Sequence, residues 1–312
     1  FVGEKIVSKK KGAKPTLPLA FGEMSESSLL SGFYEYPQGD RSLIDLAIET
    51  IDRFRLGEDS SPDILFLGLS ATDGVGHHFG PNSVEQLDNY LRSDKNLIRL
   101  INYIERKVGA GNTFYILTGD HGAMDLPEYL LSKNISSGRI SGEQRKKIYA
   151  KIISQIDSKI GSRKVKQYGD AFYFDKDLTE DENNIAVSII KDLVMQIDGV
   201  ERALTSKEII ELPKSKINIR LKNMIHPTKS PNVFVLIKEN WLWKNDYGSS
   251  HGTHYDYDSH VPFIVSRFNN IPQVENKNLF TVDIPVTIAK YLKLDYPNEL
   301  DGNPIPLKFI EK

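Results

Sequence analysis

Three short stretches of this chain combine carboxylates and imidazoles densely enough to hold a metal ion. The first, Ser70-Ala71-Thr72-Asp73-Gly74-Val75-Gly76-His77, sets a carboxylate and an imidazole four residues apart, with two glycines between them that permit a tight loop. Asp and His together suit zinc or a similar first-row divalent ion. The second, Asp120-His121-Gly122, puts the two ligand types side by side. Adjacent side chains of an extended chain point to opposite faces, so a shared ion requires the backbone to turn, which Gly119 and Gly122 allow. The third runs from His251 to His260 and carries three histidines and two aspartates in ten residues. Alone, the first two clusters read equally as a loop Asp beside an exposed His. Three such clusters, each beside a core strand, read as a metal centre.

Ligands of this kind need rigid elements to aim them. Asp63 to Leu69 is a nearly continuous apolar run, which predicts a strand buried on both faces of a parallel sheet, delivering the first cluster at its end. Ser83 and Gln86 predict a capping box for a long helix, whose apolar stripe runs from Val84 through Leu87, Leu91, Ile98, Ile101 and Ile104 to Val108. A second apolar strand, Phe114 to Leu117, leads into Asp120. Strand, loop, helix, strand is a βαβ order and predicts a right-handed crossover, with ligands beyond the strand ends. Before it, Leu43, Leu46, Ala47, Ile51 and Phe54 predict a helix from Ser42, whereas residues 1–40 show little periodicity.

Past residue 126 the texture changes, with helices expected near Gln144 to Ile160 and Glu180 to Gln196 and a strand at Ala171 to Phe174. Core-like patterns return as strands at Val233 to Ile237 and Val261 to Val265, followed by a helix at Val282 to Leu292. The expected fold is therefore α/β, a mostly parallel central sheet flanked by helices with an inserted smaller α+β region. Residues 1–126 and 231–312 would form the core and 127–230 the insertion.

Composition narrows the chemistry. Among 312 residues there is no cysteine, so a metal must be held by His and carboxylates, and thiol catalysis is excluded. The net charge of -2 is spread along the chain, with no extended basic face for nucleic acid. No apolar run approaches the roughly 18 residues of a membrane-spanning helix. The start, Phe1-Val2-Gly3-Glu4-Lys5, is neither an initiator Met nor a signal peptide, so it is expected to be a processed end or the edge of a piece of a longer chain.

The run from Ser70 to Ser83, then Leu117 to Gly122, then His251 to Pro262, resembles bacterial alkaline phosphatases of the type I phosphodiesterase/nucleotide pyrophosphatase family. Thr281 to Ala289 and Leu300-Asp301-Gly302 are similar to the tail shared across the wider alkaline phosphatase superfamily. The resemblance implies two zinc ions, one held by Asp73, His77 and His251, the other receiving Asp120 and His121. His251 is preferred to His254 because the family's metal-binding His directly precedes Gly in this loop. His260 reads as a packing or supporting residue, and His78 and His226 as ordinary histidines.

The family's Thr or Ser nucleophile, and a further Asp ligand, are expected before Phe1, and Thr72 is not taken as a substitute. The implied activity is hydrolysis of phosphate monoesters, rising toward alkaline pH and abolished by chelators, with little turnover expected of this chain alone. Alternatives are a phosphodiesterase or nucleotide pyrophosphatase, a non-catalytic metal-binding member, and a sulfatase relative, the last disfavoured by the His clusters. A periplasmic or secreted location is implied as well.

Overall fold

The structure, a computed structural model, describes residues 36–243, 247–267 and 277–306, together with Ser27, Phe33 and Val274. These residues divide into two units: Gly76–Gln86 with Ala123–Ser259, and Leu87–Gly122 with the stretches up to Val75 and from His260 onward.

The first unit is organised by a four-stranded antiparallel sheet of order β3-β4-β6-β5, formed by β3 (Val165–Tyr168), β4 (Ala171–Phe174), β5 (Val200–Thr205) and β6 (Val233–Ile237). Alternation along β6 explains why both faces are covered. Val233, Val235 and Ile237 point into the main core, while Leu236 and Phe234 face a second cluster with Ile209 and Leu221. Two amphipathic helices close the main face. In α5 (Gly142–Ile160), Tyr149, Ile152, Ile156 and Ile160 recur at helical spacing, and Ser141 caps the start by accepting from the Gln144 N–H. In α6 (Glu180–Val194) Thr179 and Glu182 form a complete capping box, and Ala186, Ile189, Ile190, Leu193 and Val194 are buried. Short helices of this unit include α4 (Pro127–Ser132), α7 (Ser206–Glu211) and α8 (Lys216–Asn223). A two-residue parallel ladder joins β2 (Gly138–Arg139) to β7 (Trp241–Leu242).

In the second unit α1 (Pro37–Phe54) packs on α3 (Val84–Val108) through Ile44, Ala47, Ile51 and Leu100. The buried stripe of α1 sits on Ile44 where the sequence suggested Leu43; Leu46 and Phe54 are exposed, and the helix begins at Pro37, whose fixed φ suits a first turn. At the start of α3 only half of the expected capping box forms: the Gln86 N–H donates to Ser83 Oγ, but Gln86 Oε1 is buried without a protein partner.

The α/β character expected is present, but two pairings differ. Strand β1 (Phe114–Thr118) pairs antiparallel with β8 (Phe263–Arg267), and among the described residues Asp63–Leu69 joins no ladder, so the predicted parallel crossover does not form. Its side chains are covered in part: Leu67 and Leu69 pack on the α1–α3 cluster, while Ile64, Leu65 and Phe66 are exposed.

Candidate metal centre

The first cluster is a helix where a tight loop was expected. Ala71–Phe79 forms α2 despite Gly74 and Gly76, and this is what aligns its candidate ligands: residues four apart stack on one helix face, so Asp73 and His77 present their side chains together. Helix α2 crosses the division between the units at Val75–Gly76, and its own geometry joins the two ligands. Its first turn is fixed by two buried groups. Asp40 Oδ1 accepts the Ala71 N–H at 3.2 Å, and Asn89 Nδ2 donates to Thr72 Oγ1 at 3.0 Å. Burial pushes the Asp40 carboxyl above the usual range, while the backbone donors of Ala71 and Ser70 pull it back. Neither role was visible in the sequence, because both contacts are tertiary.

The other end of α2 meets the segment before His251. Ser249, fully buried, donates its N–H to the His77 carbonyl at 3.2 Å and accepts from His77 Nδ1 at 3.0 Å through its own carbonyl. Since a carbonyl oxygen only accepts, the proton of His77 belongs on Nδ1, which leaves an Nε2 lone pair directed outward. That Nε2 lies 3.1 Å from His251 Nε2. Two imidazole nitrogens bound at about 2.0–2.1 Å in a tetrahedron stand about 3.3 Å apart, so the spacing fits a common zinc-like ion. With the Asp73 carboxylate, all three ligand atoms lie within 4.8 Å of one another, and they are the single such group among the described residues.

The loop carrying His251 is braced from its C-terminal side. Asp258 Oδ2 accepts from both the N–H and Oγ1 of Thr253, at 2.7 and 2.6 Å. Asp258 lies in the short helix α9 (Asp256–Ser259) and is buried, which raises its pKa against the pull of Thr253.

Asp120 and His121 follow β1 and meet each other. The His121 N–H donates to Asp120 Oδ1 at 3.1 Å, His121 Nδ1 lies 2.9 Å from the Gly122 carbonyl, and His121 Nε2 lies 3.5 Å from Asp120 Oδ2. The turn that brings neighbouring side chains together uses no positive φ at Gly119 or Gly122. Among the described residues no third His, Asp or Glu completes a group with this pair.

The remaining histidines lie elsewhere. His254 is buried with its ring 4.4 Å from that of Tyr255, and desolvation lowers its pKa below the usual imidazole range. His260, expected to pack or support, is exposed. His78 stacks on Tyr247, and His226 Nδ1 accepts the Thr228 N–H in a surface turn.

The chain is similar to the alkaline phosphatase PhoV of Synechococcus elongatus, at 30% identity over 302 residues covering 95% of this chain and 54% of that protein. It is similar also to a protein of Myroides odoratus named calcium-transporting ATPase, at 28% identity over 306 residues covering 95% of this chain and 55% of that one. The crystal structure of wild-type alkaline phosphatase PafA superposes with a TM-score of 0.80 at 26% identity, over 96% of this chain and 57% of that chain. The chain thus spans about half the length of the curated relatives it matches. Residues 26–259 match the profile of the type I phosphodiesterase / nucleotide pyrophosphatase family, and the chain belongs to that family.

Proposed function

We propose that this chain carries most of the metal-binding groups of a phosphate-ester hydrolase, with phosphate monoesters as the substrate class. One observation carries the reading: His77 Nε2 and His251 Nε2 lie 3.1 Å apart with Asp73 completing a three-ligand group. Asp73, His77 and His251 would hold one zinc ion, and Asp120 with His121 would contribute to a second. The donor set fits, being two imidazoles and a carboxylate with no thiolate, of the kind found where a coordination position is left for water or substrate.

When bound, such ions polarise a phosphoryl oxygen and lower the pKa of the attacking oxygen. The chain's own residues supply orientation. Ser249 sets the tautomer of His77, Asp40 and Asn89 fix the helix bearing Asp73, and Asp258 holds the turn after His251. No residue of this chain is assigned as nucleophile.

Monoester preference is supported by the name of the relative PhoV and that of the solved structure PafA, both alkaline phosphatases. The family's own description favours phosphodiester or pyrophosphate cleavage as the second reading. Residues 127–230 are proposed as an insertion, which fits the separate helix-covered sheet they largely build. A periplasmic or secreted location is proposed from the likeness; among the described residues no helix is long and apolar enough to cross a membrane.

The test is zinc content per chain after loading and dialysis, for the wild type and for H77A and H251A. Bound zinc lost in both variants is expected, and a wild-type chain that retains none overturns the reading. With the complete protein, chelator-sensitive hydrolysis of p-nitrophenyl phosphate is expected to exceed that of bis-p-nitrophenyl phosphate; the reverse order favours the diesterase.

A further inference from the structure

Arg139 lies far from His251 in sequence, yet it grips the segment that leads into it. It follows Gly138 in β2, and its side chain is 11% exposed. Nε and Nη2 each donate to Glu128 at 2.8 Å, one to each carboxylate oxygen, in the bidentate geometry that only a guanidinium offers. Nη2 also donates to the carbonyl of Gly248 at 3.0 Å. Glu128 stands on α4, anchored by buried Leu130 in a cluster with Met124 and Leu242. The ion pair therefore ties the Gly248 carbonyl to a fixed element.

Gly248 is where the pull is transmitted. Its φ of +67° is in the left-handed region, and a Cβ there would stand 1.9 Å from the His77 carbonyl oxygen, so only glycine lets the strap lie against α2. The next residue, Ser249, makes the two backbone hydrogen bonds that fix His77. Its hydroxyl donates to the Met124 carbonyl, and the Met124 N–H donates to Ser250. Two residues further on is His251.

We propose that Arg139, held by Glu128, is a positioning residue for the metal centre. It fixes the strap from Gly248 to His251, so that the Ser249 carbonyl keeps the His77 proton on Nδ1 and both Nε2 atoms face one point. The inference deepens the zinc reading and rests on it for the metal, though the orientation of His77 is a property of the metal-free chain. Groups that orient a ligating histidine from behind typically matter about 10–100-fold in metal affinity.

The experiment uses the 312-residue chain, comparing wild type, R139M, R139K and E128Q. Zinc affinity is measured by competition with a chromophoric chelator, and the His77 ring N–H by proton–nitrogen NMR of the metal-free protein. R139M is expected to bind zinc about 10–100-fold more weakly and to lose the slowly exchanging Nδ1–H signal. R139K, which donates without the fork, is expected to recover part of both. A folded R139M with zinc affinity within about twofold of wild type and an unchanged ring signal would overturn the proposal. If R139M does not fold, E128Q decides on the same readouts: a severalfold weaker site with a faster-exchanging Nδ1–H supports the proposal, and no change in either overturns it. A wild type that binds no zinc while R139M still loses the ring signal sinks the zinc reading and supports the strap.

Discussion

The two units treat their apolar residues very differently. Among the described residues, the main cluster of the first buries eighteen between a four-stranded sheet and two helices, whereas the α1–α3 cluster of the second buries four. In the second unit Ile64, Leu65, Phe66, Leu117 and Ile264 are exposed, on the extended segment and on both strands of its only ladder among the described residues. The candidate histidine ligands follow the same division, while Asp73 stands in the second unit's part of α2. His77 and His251 are held to each other through Ser249, inside the unit with the large core, while Asp120 and His121 stand at the end of β1 and are held by hydrogen bonds within three consecutive residues. Precise ligand placement follows closed packing, since a group is aimed only as well as the backbone beneath it is fixed.

The sharpest way to break this comparison is to remove one aromatic ring from each unit. Phe172 is fully buried with its ring edge-on to Tyr149 at 5.3 Å, so F172A is expected to cost about 3–5 kcal/mol of unfolding free energy. Phe66 is 79% exposed, and F66A is expected to change stability by about 0.5 kcal/mol or less. Urea unfolding of both variants measures the difference. Equal costs would mean that Phe66 is packed in solution and that the contrast between the units is false.

What the sequence disclosed follows the same line. Elements with a clean period were legible: Val233–Ile237 and Ala171–Phe174 are strands as read, and α5, α6 and α10 (Asp283–Tyr291) lie where the apolar spacing put them. The candidate ligands were legible as well: Asp73, His77 and His251, chemically unusual at their spacings, fall together in one group. The geometry that joins them was not. Gly74 and Gly76 argued for a loop, since glycine is costly in a helix, yet the Asp40 and Asn89 contacts hold that turn helical. Asp63–Leu69 looked like a buried strand because a continuous apolar run carries no sign of which face is covered. Arg139, Glu128 and Ser249 gave no signal at all, their meeting being set by a two-residue ladder between positions about a hundred apart.

Zinc sharpens the comparison at the site. A ligand that binds only the folded state stabilises it by about 2.7 kcal/mol when present at about a hundred times its Kd. That gain is expected for the wild-type chain and for H121A, and its loss is expected for H251A, because the group of three contains His251 and not His121. Thermal unfolding with and without zinc provides the measurement. Equal loss in H121A and H251A would show that the second pair is needed for the first ion, and that the group of three does not hold its metal independently.

The smallest effect expected is a pH dependence that belongs to the first unit. His254 is buried, and desolvation lowers its pKa below the ordinary value near 6.5; nearby Glu201 opposes the shift, and Arg202 and Arg220 add to it. A depressed pKa means that below about pH 6.5 the unfolded chain binds a proton that the folded chain refuses. The contribution to stability is therefore fully present above the unfolded value and is lost as pH falls through the folded one. H254Q removes the titrating group, so its unfolding free energy should decline less than that of the wild type between pH 7 and pH 5. Parallel curves for the two proteins would mean that the His254 ring is solvated, and that the loop between His251 and Asp258 is looser than its hydrogen bonds to Thr253 require.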